Sequence, residues 1–186
     1  GQDDQAISDN TKAIELNPRF AAAYNNRGNA YGGKGQHDQA ISDYTKAIEL
    51  NPQYAEAYLN RGRSYGNSGQ HDLAIAEYTI ALEISPEDAR AHNAIAWLLA
   101  TCPDTEFRNG TKAIEHAQTA VQIEPEAVYI DTLAAAYAES GRFDEAIETQ
   151  EEAISLFRQQ GATDLLDEGI ERLESYEIRE PFRSSP

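Results

Sequence analysis

The sequence predicts an all-α solenoid in which antiparallel helix pairs follow one another along the chain. A pattern of bulky, small and proline residues recurs in phase 34 residues later. The positions Tyr24, Gly28, Tyr31, Gly35, Ala40, Tyr44, Ala47 and Pro52 recur as Tyr58, Gly62, Tyr65, Gly69, Ala74, Tyr78, Ala81 and Pro86. Within each copy, residues of one face follow the helical period and a glycine separates two such stretches. A fixed period of this length indicates a helical-repeat architecture.

This pattern closely resembles the tetratricopeptide repeat (TPR) family. The resemblance implies a right-handed superhelical solenoid of antiparallel helix pairs, in which the first helix of each repeat lines a concave groove. Two complete copies, residues 21–54 and 55–88, carry the pattern with the least change. We therefore expect a fold in which each helix pair buries its apolar surface mainly against its neighbours.

The remaining elements are assigned by their phase with these two copies. Residues 1–20 are predicted to be the second helix of a truncated repeat, because Ala13 and Pro18 stand 34 residues before Ala47 and Pro52. The later assignments are residues 89–126 as a repeat with an insertion, 127–160 as a further repeat, 161–180 as a C-terminal capping helix and 181–186 as a tail of frayed coil. In the capping helix, Leu166, Ile170 and Leu173 are expected to form the packing face.

The insertion is placed by comparing intervals between equivalent residues. Ala74 and Ala113 are 39 residues apart where the period is 34, so five residues have been added. They fall in residues 101–111, between the two helices of the repeat, where a longer loop leaves the stacked core intact.

Four glycines have distinct predicted roles. Gly28 and Gly62 lie inside first helices, where glycine costs about 1 kcal/mol relative to alanine. We expect a neighbouring helix to approach closely at both. Gly35 and Gly69 are expected to end those helices in the left-handed conformation.

The composition limits the partners. The net charge of −17 argues against nucleic acid and anionic membranes, which attract clustered Lys and Arg. No apolar run approaches the roughly 20 residues of a membrane span. Residues 121–186 hold 16 Asp and Glu against 5 Arg. The excess carboxylates either keep the outer helix faces solvated or attract a basic partner. The single cysteine, Cys102, excludes an internal disulfide and favours a reducing compartment such as the cytoplasm.

No set of reactive groups converges in the sequence, so we expect a protein that is not an enzyme and needs no cofactor or metal. His37 and His71 occupy equivalent turns, about 10 Å or more apart if the helices pack normally. His92 and His116 have no Cys, Asp or Glu at metal-ligand spacing. Cys102 has no basic neighbour to lower its pKa.

Helical phase selects the side chains expected to face the groove. They are Asn25, Asn26, Asn29, Leu59, Asn60, Arg63, Arg90, Asn93, Trp97 and Asp131. The resemblance implies that Asn26 and Asn60, which are in register, bind the backbone of an extended peptide, since a primary amide both donates and accepts hydrogen bonds. Trp97 is read either as a groove anchor or as packing against the inserted loop. Arg27 and Arg61 are expected to lay their stems along the helix pair and expose their guanidinium groups.

The carboxylate-clamp subfamily of TPR proteins is disfavoured. Its grooves present lysine and arginine beside asparagine, whereas this chain lacks the lysines and has Glu56 in the channel. Only Arg63 and Arg90 remain as cations for that role.

The preferred interpretation is a non-catalytic scaffold that binds a partner peptide or protein segment, a basic one among the candidates, in its concave groove. One alternative is self-assembly into a homo-oligomer through the open N-terminal half-repeat, whose flank carries Ile7, Ile14 and Leu16. Another is a regulatory domain of a larger enzyme.

Overall fold

The computed structural model describes residues 1–184, which contain ten α-helices, one short 3₁₀ helix and no strand. The α-helices are α1 (Gln2–Leu16), α2 (Ala21–Gly33), α3 (His37–Leu50), α4 (Ala55–Asn67), α5 (His71–Ile84), α6 (Ala89–Thr101), α7 (Gly110–Ile123), α8 (Ala127–Glu139), α9 (Phe143–Gln160) and α10 (Thr163–Glu177). The predicted all-α class is confirmed. None of the helices in this part of the chain is long and apolar enough to span a membrane.

The chain divides into two compact units, Gly1–Pro86 and the residues from Glu87 onward. In the first unit, successive helices from α1 to α5 pack on one another, and α2 also contacts α4. In the second unit, successive helices from α6 to α10 pack in the same way, and α8 also contacts α6 and α10. Each unit is therefore built from helix pairs of one kind.

Three-residue links make the helices of a pair antiparallel. Gly35 lies in the link between α2 and α3 with φ 71°, and Gly69 lies in the link between α4 and α5 with φ 73°. A residue with a Cβ is strained in this left-handed region, whereas glycine is not. The expectation for Gly35 and Gly69 is confirmed.

The first helices approach the second helices closely at the internal glycines. A Cβ at Gly28 would lie 2.7 Å from Cε1 of Tyr44, and one at Gly62 would lie 2.6 Å from Cε1 of Tyr78. Both rings are buried. The predicted close approach is confirmed, and the lost helix propensity at these glycines is the cost of seating a tyrosine ring against the helix backbone.

Alanines with no solvent exposure form the contact surface of the second helices. They include Ala40 and Ala47 on α3, Ala74 and Ala81 on α5, and Ala113 and Ala117 on α7. Small side chains let helix axes approach, and a packed interior of this kind tolerates little added volume.

The inserted residues form the loop between α6 and α7, which contains the 3₁₀ helix Thr105–Phe107. Arg108 holds this loop, because its Nη1 donates to the carbonyl oxygens of Cys102 and Pro103 at 3.0 Å each. Asn109 is the N-cap of α7, and its side chain accepts a hydrogen bond from the backbone N–H of Lys112 at 3.1 Å.

The last helix, α10, packs differently from the prediction. Its buried residues are Gly169, Arg172 and Tyr176, whereas Ile170 is exposed and Leu166 is half-buried. The sequence pattern favoured a purely apolar face, but an arginine paired with a buried carboxylate occupies that face.

Candidate peptide-binding surfaces

Four polar side chains of the first unit form what we call the amide surface. Asn26 and Asn29 are exposed on α2, Arg63 is exposed on α4, and Asn60 on α4 is half-buried. Residues three apart lie on one side of a helix, which places the two members on each helix together. Within residues 1–184, the side chains of Asn26 and Arg63 make no hydrogen bond and Arg63 makes no ion pair, so both remain available to a ligand.

A buried asparagine joins the two helices of this surface. Asn25 is fully buried, its Nδ2 donates to Oε1 of Glu56 at 3.3 Å, and its Oδ1 accepts from Nδ2 of Asn60 at 3.2 Å. An unsatisfied buried amide is costly, so this chain of hydrogen bonds fixes α2 against α4. Asn25 was predicted to contact a peptide, but it lies one residue, about 100° of helix rotation, from Asn26 and faces inward. We exclude Asn25 from the binding surface.

Leu59 and Asp131 are also buried, and they are excluded from ligand contact for the same reason. Leu59 packs inside the first unit. Asp131 on α8 accepts hydrogen bonds from Nε2 of Gln150 at 2.7 Å and from Nε of Arg172 at 3.0 Å. Burial raises the pKa of Asp131, and the guanidinium of Arg172 opposes that shift.

Asn29 is oriented by a tyrosine of the same repeat. The hydroxyl of Tyr44 donates to Oδ1 of Asn29 at 2.8 Å, which leaves the amide NH₂ group of Asn29 as a donor. Burial raises the pKa of Tyr44 to about 12, so the hydroxyl keeps its proton and this hydrogen bond persists at neutral pH. The charge of Arg63 opposes this shift.

Arg27 and Arg61 are paired across helices, in contrast to the expectation that their guanidinium groups are exposed. Arg27 on α2 donates to both carboxylate oxygens of Asp43 on α3, at 2.7 and 2.8 Å. Its Nη1 donates to Oγ1 of Thr11 on α1 at 3.1 Å. We call this set, an arginine bound by a carboxylate and a threonine of two other helices, the Arg27 clamp. The same arrangement recurs 34 residues later as Arg61, Glu77 and Thr45. A bidentate, partly buried pair of this kind fixes helix positions more strongly than an exposed pair does.

Two predicted groove residues of the second unit, Arg90 and Asn93, lie on α6. Arg90 is bound by a nearby carboxylate, and Asn93 is half-buried. The guanidinium of Arg90 donates to both carboxylate oxygens of Asp88, at 3.1 and 2.9 Å, at the start of α6. Because Asp88 already binds Arg90, Arg63 is the remaining cation of the two considered for a carboxylate clamp.

Trp97 on α6 is half-buried beneath residues far along the chain. Its ring centroid lies 5.9 Å from that of Phe182, and the guanidinium carbon of Arg172 lies 5.7 Å from the Trp97 centroid. The sequence interpretation offered a groove ligand or the inserted loop as the neighbour of Trp97. In the structure, the neighbours of Trp97 are instead Arg172 of α10 and Phe182 of the segment that follows α10.

The segment 181–184 has no helix or strand, but it is not frayed. The N–H of Ser184 donates to the carbonyl oxygen of Thr101 at 3.0 Å, and Nη2 of Arg183 lies 2.7 Å from Oε2 of Glu139. The predicted frayed tail is therefore corrected for residues 181–184, and its last two residues lie outside the described part of the chain. No sequence periodicity signals a contact that joins residues 83 positions apart.

The structure also brings together two histidines that sequence reasoning treated separately. The Nδ1 atoms of His92 on α6 and His116 on α7 are 3.0 Å apart. Burial, and to a lesser extent the neighbouring His92, lowers the pKa of His116. Within residues 1–184, no group of three or more His, Cys, Asp and Glu side chains is arranged to hold a metal ion. Burial raises the pKa of Cys102, which disfavours its reactive thiolate.

Models of one repeat family match several parts of this chain. Models described as tetratricopeptide repeat match residues 21–54, 43–76 and 129–160, and a model described as TPR repeat matches residues 1–35. No curated protein sequence matches the chain significantly.

Solved structures show the same fold at low sequence identity. TTC0263, a thermophilic TPR protein of Thermus thermophilus, is 20% identical with a TM-score of 0.73, over 96% of this chain and 92% of that one. MamA of Desulfovibrio magneticus RS-1 is 22% identical with a TM-score of 0.71, over 86% and 88%. A chain of the APC/C hetero-tetramer Cut9–Hcn1 is 18% identical with a TM-score of 0.74, over 85% of this chain and 30% of that one. These structures share the fold. The repeat models together match more than half of the chain, which shows that the chain belongs to the tetratricopeptide repeat family.

Proposed function

We propose that this chain is a non-catalytic scaffold that binds an extended segment of a partner protein on the amide surface of its first unit. The TPR fold implies a protein–protein interaction scaffold, and TPR repeat proteins are generally non-catalytic. The observation that carries this proposal is the exposed amides of Asn26 and Asn29 on α2 and the half-buried amide of Asn60 on α4, beside a buried hydrogen-bond network that holds the two helices together.

Backbone recognition by this surface follows from its chemistry. Asn26 can donate to a carbonyl and accept from an N–H of the ligand, and the NH₂ group of Asn29 can donate to a carbonyl. Neither interaction depends on the ligand's side chains. Neighbouring packed helices lie about 8–10 Å apart, which is about the length of three residues of extended chain. Asn26 and Asn60 can therefore bind peptide groups about three residues apart on one extended segment.

Arg63 adds a charge preference to this surface. It is the exposed guanidinium of the group, and its neighbours Arg27 and Arg61 are each engaged by a carboxylate on a second helix. A guanidinium without an internal partner binds a carboxylate in two parallel hydrogen bonds. We expect bound segments to place an acidic side chain next to the backbone portion held by the amides.

The test is a screen of the whole chain against a library of extended peptides, followed by affinity measurements on variants at low and moderate salt. Replacing both Asn26 and Asn60 by alanine should weaken a groove ligand by about 10-fold or more, because each hydrogen bond contributes about 0.5–1.5 kcal/mol. Replacing Gln39, an exposed amide on α3, by alanine is the matched control and should leave the affinity unchanged.

Two results would count against this proposal. Unchanged affinity in the Asn26 and Asn60 double variant would remove the amide surface from recognition. Hits that share only basic charge and disappear at moderate salt would show nonspecific attraction to an acidic protein.

Self-association through α1 is the second candidate, and exposed apolar residues favour it. Leu16 is 87% exposed and Phe20 is 47% exposed, and α1 itself has no buried residue. Light scattering over a range of concentrations tests this candidate. A mass that rises with concentration and falls back in a Leu16→Gln variant would support it, and a monomer at every concentration would contradict it.

A further inference from the structure

A short non-helical segment of the second unit lies against three helices in the manner of a bound peptide. Besides the N–H of Ser184, its Oγ also donates to the carbonyl oxygen of Thr101, at 3.2 Å, and Nη1 of Arg183 donates to the carbonyl oxygen of Ala100 at 3.4 Å. These are the last carbonyl groups of α6, which have no partner within their own helix. The segment therefore satisfies acceptors that would otherwise need water or another ligand.

An aromatic side chain of this segment fills an apolar site. Phe182 packs with a buried cluster of α8, α9 and α10 that contains Ala134, Ala138 and Tyr176. Trp97 on α6 contacts the same ring from another direction. Aromatic pairs in tilted arrangements at this separation contribute about 0.5–1.5 kcal/mol beyond the area that they bury.

A fixed cation completes the aromatic site. The guanidinium carbon of Arg172 lies 5.5 Å from the centroid of Phe182 and 5.7 Å from that of Trp97. Asp131 holds this arginine in place from the opposite side by a buried ion pair of 3.0 Å. The helices thus line this site with a tryptophan and an oriented guanidinium, both of which favour an aromatic ring.

A carboxylate receives the next residue of the segment. Glu139, near the end of α8, lies 2.7 Å from Nη2 of Arg183, and the guanidinium of Arg108 contacts the same carboxylate at 3.1 Å. Residues 121–186 carry a net charge of −11, which adds a longer-range attraction for basic segments.

We propose that this cleft of α6, α8 and α10 is a binding site for an extended segment of another protein in which an aromatic residue is followed by arginine. Residues 181–184 of the chain occupy the site as an intramolecular competitor. We infer the ligand from the contacts of residues 181–184. The apolar site binds the aromatic ring, Glu139 binds the arginine, and the carbonyl groups at the end of α6 bind the backbone. This site is distinct from the amide surface, so the two proposals stand or fall separately.

Competition determines the size of the expected effect. A segment that is bound in most molecules lowers the apparent affinity for an external ligand in proportion to the fraction of sites left open. A substitution that releases the segment should therefore raise the affinity for an external peptide by about 10-fold or more, if fewer than one site in ten is open in the unaltered chain.

The experiment uses the full chain and a fluorescein-labelled peptide of sequence Glu-Pro-Phe-Arg-Ser-Ser. Its binding is measured by anisotropy to the unaltered chain and to a Phe182→Ala variant. We expect the variant to bind at least about 10-fold more tightly. Trp97, the single tryptophan of the chain, reports the same site: its emission should move to longer wavelength in the variant and return when the peptide binds.

Two controls make the result specific. A peptide with alanine in place of phenylalanine should show no gain in affinity when the segment is released, because it lacks the ring that fills the apolar site. A Gln39→Ala substitution on α3, outside both proposed sites, should not change the affinity for the labelled peptide. If Phe182→Ala loses helical circular dichroism, Arg183→Glu replaces it, because this substitution places two carboxylates together without emptying the apolar site.

Equal affinity of the peptide for the unaltered chain and the released variant would overturn the proposal, as would equal affinity of the two peptides for the variant. A Trp97 emission that stays constant on release would overturn it as well, since Phe182 would then not be the group that covers the site.

Discussion

Replacing Gly28 by alanine tests whether the tyrosine ring of the second helix governs the packing of a repeat. An alanine Cβ at this position lies 2.7, 2.9 and 3.1 Å from three ring carbons of Tyr44, whereas ordinary carbon contacts are about 3.5–4.0 Å. The ring cannot easily move, because it is 3% exposed and its hydroxyl is bonded to Asn29. Overpacking of this kind costs about 1–3 kcal/mol, and the gain in helix propensity offsets about 1 kcal/mol of it.

Gly32 supplies the matched control in the same helix. A Cβ there would lie 3.7 Å from the Tyr44 hydroxyl oxygen, an ordinary contact, so Gly32→Ala should keep the propensity gain of about 1 kcal/mol. The two substitutions are chemically identical and differ only in what the new methyl group meets. We expect Gly28→Ala to be less stable than Gly32→Ala by about 1–3 kcal/mol.

The assay is urea unfolding followed by far-ultraviolet circular dichroism, with the free energy of unfolding compared at equal slope. If Gly28→Ala proves as stable as Gly32→Ala, the ring does not constrain the helix and the explanation of the glycine is wrong. Repeating the pair in a Tyr44→Leu background separates the clash from other effects, because the gap should then close.

Three further substitutions probe the second unit and the alanine contacts. Arg172→Met leaves Asp131 buried without its counter-charge and should lower the free energy of unfolding by about 3–5 kcal/mol. Adding Asp131→Asn should restore much of this loss. Thermal unfolding of the single and the double variant measures both effects. Burial and His92 lower the pKa of His116 below its usual 6.5, so the unfolded chain binds a proton that the folded chain excludes. Stability should therefore fall as the pH drops below about 6.5, and a His116→Gln variant that keeps the same slope would exclude this cause. Ala40→Leu should destabilise by about 1–3 kcal/mol, and no measurable change in urea unfolding would contradict the close helix contact on α3.

The repeat period was sufficient to predict the fold class and the contacts that recur with it. Gly28 and Gly62 were expected at points of close helix approach, and Gly35 was expected at a left-handed helix end. These contacts join residues of the same repeat, so one sequence position implies its partner at a fixed offset. The insertion between α6 and α7 could be placed in the same way, from the interval between Ala74 and Ala113.

The candidate site was harder to predict, because exposure depends on rotation about each helix and on distant partners. Asn25 and Asn26 are neighbours in sequence, but one is buried between α2 and α4 and the other is exposed. Arg27 was expected to face solvent because its partner Asp43 lies on another helix. Phe182 reaches Trp97 across more than eighty residues, and no local propensity or period encodes that contact.

The recurrence of the Arg27 clamp makes the helix pairs of the first unit interchangeable. If residues 21–54 were removed as a block, Arg61 would keep Glu77 and would meet the hydroxyl of Thr11 where it now meets that of Thr45. A deletion of any other length would set the arginine against the wrong face of its neighbour. Helix pairs connected in this way can be removed or added as whole repeats while every clamp arginine keeps a carboxylate and a threonine as partners.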